Sequence, residues 1–357
     1  MAAAAVVDLQ GAVLFEKDVY GSIITAWSYP AIPEGFEHVL RTRSQLEDDS
    51  ALPAGAPPFV WGRFKNLWHY SMICEADQRT NPKVESFSIV LLSANFNPEK
   101  FALLLQLMCA QYRATASPTA ILEGYLKAFT TGQYACDAGS WKNAQFSDQR
   151  ALISGCSLKE IVGNFGMHSV LLWNAMLLKK RIIVYGDVLP DLLSFVRAMP
   201  QLVWHRQRWS ILRPIVASKR DELDELAAAG VFVAGFLDRA VRGGDQYYDV
   251  FVDLPERRVI VAEHAKEQLA MGQFHKDLAA FMTQQAQAEG GTDAAMIKAM
   301  AQKTRELIDS ISKMCAPPAE EGAKPRLRAE DLKAKSLGAS MERFIFNVAV
   351  AEGMAEE

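Results

Sequence analysis

The sequence is poor in the features that usually announce chemistry. Cysteine is scarce: Cys74, Cys109, Cys136, Cys156 and Cys315 are odd in number, widely spaced and form no C-x-x-C pair. That pattern reads as reduced cytosolic thiols, not a disulfide framework. No P-loop, G-x-G-x-x-G, H-E-x-x-H, G-x-S-x-G or EF-hand loop occurs. The histidines His38, His69, His168, His205, His264 and His275 show no metal-ligand spacing, and nothing marks a cysteine as an activated thiolate. No catalytic residue, metal or cofactor is therefore expected.

Charge of one sign is also lacking. A net charge of −4 gives no electrostatic reason to expect nucleic acid or an acidic membrane surface. No apolar run is long enough to span a bilayer. Met1–Val7 has no basic n-region and leads into a strand pattern, so a signal peptide is not expected. The expectation is a soluble, intracellular protein without direct membrane insertion, reaching membranes through a partner.

What is present is an ordinary globular composition, 50% hydrophobic and 22% charged, on a chain long enough for two or three modules. The most informative stretch runs from Ser157 to Gly186. Ser157 and Glu160 have the spacing of a capping box. Val170, Leu171, Trp173, Leu177 and Leu178 then leave a helix little polar face, which marks it as buried. Lys179, Lys180 and Arg181 suit a helix C-terminus. Ile182–Tyr185 follows as a short β-branched run closed by Gly186, the pattern of a buried central strand in a parallel sheet.

In chain order, Gly11–Glu16 and Ile23–Tyr29 read as strands and Glu34–Leu46 as a helix. Asp48–Pro58 reads as a loop, and Phe59–Phe64 with Leu67–Ile73 as a hairpin across Lys65 and Asn66. Ser86–Leu92 is a further strand. Asn97 and Ser117, each followed by proline, start two helices. The spacing makes residues 1–132 a longin-like α–β–α module and 133–156 a linker rich in turn residues. Residues 157–262 form an α/β module: a helix at Leu189–Ala198, a bent or edge segment at Ser210–Val216 because of Pro214, a helix capped by Ser218, then strands at Val231–Phe236, Tyr248–Val252 and Arg258–Ala262. Residues 263–357 are helical, with a linker at Ala316–Lys324 and a last helix over Asp331–Met354.

Two aromatic groups are candidate partner-binding surfaces. Trp204, His205, Arg206, Arg208, Trp209 and Arg213 make the densest aromatic–basic patch; the pattern fits a contact surface or tryptophans pegged into a core beside a solvated loop. Trp27 and Tyr29 share a strand face with Thr25 by simple alternation. Beside Pro30 and Pro33 they either anchor a partner helix or pack inward.

The order of modules resembles the DENN domain. The residues that carry the resemblance are the helix–strand Leu177–Gly186, the Pro…Trp segment Met199–Trp204 continuing to Trp209–Leu212, the strand Gly230–Gly235 and the aspartate-bearing strand Val250–Leu254. Phe96–Lys100, Phe165–Met167, Leu202–Gln207, Val233–Phe236 and Tyr248–Val252 match the short members of that family. Gln201 stands where the mainstream motif has an aromatic, and the prolines usual before the glycine-ended strand are absent around Val231. The resemblance implies an α/β, DENN-type architecture and a guanine-nucleotide exchange factor that binds a Rab-family GTPase and promotes GDP release without covalent chemistry. For the short members it also implies recruitment to late endosomes and a scaffold role on coiled-coil subunits of the Commander endosomal recycling complex.

Overall fold

The computed structural model describes residues 8–47, 59–147, 157–206, 208–315, 326–335 and 337–355. The expected loop Asp48–Pro58 lies outside them, apart from its neighbours. So do 148–156 with Cys156, Gln207, and the expected linker Ala316–Lys324. The chain divides into two compact units, Met1–Ser154 and Gly155–Glu357.

In the first unit, five antiparallel strands, β1 (Leu9–Asp18), β2 (Ile23–Tyr29), β3 (Phe59–Phe64), β4 (Leu67–Glu75) and β5 (Val84–Ser93), form a sheet in the order β2-β1-β5-β4-β3. Helix α1 (Glu34–Arg43) covers one face: Leu40 packs with Val13, Phe15, Ile73 and Val90. It is shorter than the periodicity suggests because the Ser44 hydroxyl and amide both turn back to the Arg41 carbonyl. Helices α2 (Pro98–Thr115) and α3 (Pro118–Thr131) cover the other face. Their starts are as expected: Asn97 accepts from the Lys100 amide and Ser117 from the Ala120 amide, each satisfying an otherwise orphaned donor. Phe101, Leu104, Leu105 and Met108 are fully buried on α2.

The segment after α3, expected to be a linker, is folded through residue 146. β6 (Gln133–Cys136) and β7 (Gly139–Lys142) pair as a hairpin, followed by one turn of 3-10 helix at Asn143–Phe146. Its anchor is Trp141, fully buried, whose Nε1 donates to the Lys100 carbonyl at 3.0 Å. Turn-forming residues misled the local reading; one long-range aromatic contact overrides them.

The second unit is built on β8 (Ile182–Tyr185). Its sheet has the order β12-β11-β8-β10-β9, where β9 is Leu212–Arg213, β10 is Val233–Phe236, β11 is Val250–Asp253 and β12 is Arg258–Val261. β8 runs parallel to β10 and β11 on either side, and only β12 is antiparallel. Ile182, Ile183 and Val184 have no exposed surface, as an apolar run in a covered parallel sheet requires. β9, the segment containing the bend before Pro214, is an edge. Helix α7 (Arg220–Ala228) places Leu226 on the face of Ile183 and Phe251, and α6 (Leu189–Ala198) packs on β8 and β10. The cap of α7 differs from expectation: Lys219, not Ser218, precedes it, and the Glu222 carboxylate instead accepts from the Ala217 amide.

Two further helices are broken where one was expected. The stretch before β8 splits into α4 (Leu158–Phe165) and α5 (His168–Leu177) at Gly166. The last helix splits into α10 (Ala329–Lys333) and α11 (Ala339–Ala351), with Gly338 at φ 84°, where a side chain would be strained. Between them in sequence, α8 (Gln273–Gln287) and α9 (Asp293–Ser312) pack against α4, α5 and α11. Trp173 of α5 is the peg of this layer. It is 1% exposed, donates to the Thr304 hydroxyl at 3.1 Å, and meets the rings of Phe274 and Phe344. Trp173→Ala is expected to lower unfolding free energy by about 3–5 kcal/mol, measured by urea denaturation; a loss below roughly 1 kcal/mol, the surface range, would mean the helix is not central.

Candidate partner-binding surfaces

The first surface lies on β2, an edge strand whose seven residues are all partly or fully accessible. β1 and β2 pair with a bulge. Leu14 faces Trp27 and Phe15 faces Thr25, so Ala26 has no partner of its own. Paired residues point to the same side of a sheet, and neighbours on β1 point to opposite sides. Thr25 therefore lies on the α1 face, where its hydroxyl donates to Glu37 at 2.5 Å. Trp27 and Tyr29 lie on the α3 face. Simple alternation put all three together; the extra residue at Ala26 separates them.

On that face the two aromatics meet α3. Tyr125 is buried, with its ring 6.4 Å from Trp27, 6.2 Å from Tyr29 and 6.2 Å from Phe129. Tyr29 and Phe129 are 45% and 41% exposed, while Trp27 is half-buried. The result is an aromatic ledge with a buried centre and two open ends. Burial, with a smaller contribution from Tyr29, pushes the Tyr125 hydroxyl up to about 12, so it stays neutral in the physiological range. Its oxygen and Trp27 Nε1 are both buried without a hydrogen-bond partner among the described residues. Tyr125 and Phe129 were missed in the sequence, although their i, i+4 spacing on an expected helix was the available signal.

The second surface is differently committed. Pro200 and Gln201 belong to a fully buried 3-10 turn, Met199–Val203, running directly out of α6. Trp204, His205 and Arg206 continue as turn, and Trp209 begins a second 3-10 turn at Trp209–Ile211. No strand alternation operates here, and both tryptophans are half-buried. His205 and Arg206 converge on Glu352, at the C-terminal end of α11: His205 Nε2 lies 3.1 Å and Arg206 Nε 2.9 Å from Oε1. Arg206 also donates to the Leu177 carbonyl at the end of α5, a favourable place for a cation. Burial acts to raise the Glu352 carboxyl, but the His205 hydrogen bond and the Arg206 charge outweigh it and hold the group below its ordinary value. Glu352 is the residue that sequence reading could not supply, because it lies 146 positions from Arg206. Gln201, in the aromatic slot of the mainstream motif, is fully buried, and neither polar atom of its amide finds a partner among the described residues.

The structure thus sets Trp27 and Tyr29 on one face around Tyr125, joins His205 and Arg206 at Glu352, and places Trp209 in a separate 3-10 turn. Among the described residues no helix is long and apolar enough to cross a membrane.

An antiparallel sheet covered by helices, followed by a mostly parallel α/β unit with added helices, is an α/β architecture of DENN type. Residues 156–263 match the family described as "Stabilization of polarity axis". The chain is 37% identical over 359 residues to DENN domain-containing protein 10 of Homo sapiens, with 99% of each chain covered. It is 36% identical to that of Danio rerio, with 95% of each covered, and 34% identical to that of Dictyostelium discoideum, with 96% of each covered. The chain belongs to the DENN domain-containing protein 10 family.

The clamp at Glu352 generates a pH test. Its folded carboxyl sits below the ordinary 4.5, so its contribution is complete above about that pH and is lost as pH falls through the lower folded value. Glu352→Gln is expected to cost about 1.5–3 kcal/mol at neutral pH, the range for a hydrogen bond to a charged group, and to lose part of the stability decline below 4.5. Urea midpoints across pH 3 to 7 read both; parallel wild-type and variant curves would remove Glu352 from the account.

Proposed function

We propose that this chain is an endosomal Rab regulator that acts as a guanine-nucleotide exchange factor: it binds a Rab-family GTPase and promotes GDP release. The observation that carries this reading is the end-to-end similarity to DENN domain-containing proteins on a two-unit DENN-type architecture. Exchange requires a surface that binds the nucleotide-free GTPase more tightly than the loaded one. No nucleophile or general base is called for. Recruitment to late endosomes is part of the same proposal.

The experiment is GDP release from a panel of purified Rab GTPases. At least one is expected to be accelerated, and His205→Ala is expected to act only through the Glu352 clamp, as a stability change. Acceleration of none would sink the exchange reading. A thousandfold loss in His205→Ala with fold and Rab affinity intact would instead reveal direct chemistry.

The aromatic ledge favours a second, compatible reading: a scaffold subunit docked on coiled-coil proteins of the Commander endosomal recycling complex. Tyr29 and Phe129 present half-open rings around a buried tyrosine, the arrangement of an anchor for apolar side chains of a partner helix. Trp27→Asp alone mixes packing with binding, because the ring is half-buried against Tyr125. The cleaner pair is Tyr29→Asp and Phe129→Asp, each expected to weaken capture of such coiled coils by roughly 2 kcal/mol if a hot spot while the melting temperature holds. Stable variants that still capture the partner would move the docking surface elsewhere, with Trp204 to Trp209 next in line.

A further inference from the structure

The Pro…Trp segment carries more positive charge than its clamp consumes. Lys179 follows the C-terminus of α5 in a left-handed conformation, φ 54°. Arg206 and Arg208 come from the turn after Val203, and these three cations line one small concavity over Met176, Val203 and Ile211. Arg206 is paired with Glu352. Neither Lys179 nor Arg208 has an ion-pair partner among the described residues. Three cations therefore face one carboxylate, already shared with His205, and the roughly half negative charge of a helix C-terminus. The strain registers on Lys179. Burial first, then repulsion from Arg206 and Arg208, lowers its ammonium pKa, and attraction to Glu352 does not make up the difference.

Like charges gathered around a concavity without matching counter-charge are the electrostatic form of an anion site. The concavity offers about 30 Å³, room for roughly two water-sized atoms. It seats one or two oxygens of a ligand whose remainder stays outside. The Arg208 guanidinium fork and the Lys179 ammonium, beside the charge of the clamped Arg206, suit a tetrahedral phosphate better than a planar carboxylate, since the excess charge favours a dianion. We propose that Lys179, Arg206 and Arg208 form a binding site for a phosphate monoester.

Two sources share that chemistry, a soluble phosphate ester and a phosphorylated lipid headgroup, and one set of variants tests both. The full chain is titrated with glycerol phosphate, followed by thermal shift and calorimetry. It is also sedimented with phosphatidylcholine vesicles with and without phosphatidylinositol 4-phosphate. Wild type is expected to be stabilised by at least one probe, and Arg208→Gln and Lys179→Gln are each expected to weaken binding roughly tenfold, the worth of one charge-assisted hydrogen bond. Arg208 is exposed, so Arg208→Gln is not expected to disturb folding. Arg213→Gln, outside the concavity, is expected to bind as wild type does. Binding to vesicles alone assigns the lipid; binding to glycerol phosphate alone assigns the soluble ester. No binding of either probe, or equal binding by wild type and both concavity variants, overturns the site.

Discussion

The second unit depends on a strand that cannot touch water. With Ile182, Ile183 and Val184 dry on both faces, β8 is stable only if parallel neighbours take its backbone groups and layers cover both sides. β10 and β11 supply the first; α7 and α6 supply the second. Entry to the strand is locked as well. Asp249 accepts from the Arg181 amide at 2.8 Å and from its guanidinium at 2.9 Å, with His264 at 3.0 Å. Burial opposes ionisation of Asp249, and the Arg181 and His264 hydrogen bonds overcome it. One carboxylate thus ties the starts of β8 and β11 together, and a loss of register would be felt by the whole sheet.

In the first unit the corresponding constraint is a single unpaired residue. Without the bulge at Ala26, Trp27 would share the α1 face with Thr25, and the ledge with Tyr125 and Phe129 would not exist. The bulge also makes β2 a less regular template at the edge of its sheet. Period-2 reading is reliable only while pairing is continuous. Nothing in Thr25-Ala26-Trp27 alone announces an interruption, since alanine neither requires nor forbids a bulge.

Most elements were legible because their causes are local. Asn97-Pro98 and Ser117-Pro118 announce their helices, and Lys65-Asn66 marks its hairpin, with Lys65 at φ 51°. The apolar run at Ile182 declares a covered strand without reference to anything distant. Misreadings share the opposite property. The hairpin at Gln133–Lys142 is held by Trp141 reaching Lys100, 41 residues away. The final helix is interrupted after Lys333 and restarts behind Gly338, which caps α11, although the residues on either side suit a helix. DENN-type architecture followed from residues that are mostly core, which is why the fold was easier to read than the surfaces.

The aromatic–basic segment shows why surfaces are harder. A run such as Trp204-His205-Arg206 looks like a contact patch when only its neighbours in sequence are considered. Whether an arginine in it is available depends on whether a counter-charge arrives from elsewhere, and Glu352 does. His205 and the Nε and Nη2 donors of Arg206 are thereby committed to joining α11 to the end of α5, while the charge of Arg206 still borders the concavity. Among the described residues Arg208 and Lys179 receive no such carboxylate, so the same segment is internal on one side and charged outward on the other. Composition made one patch of it; the position of a single glutamate divides it in two.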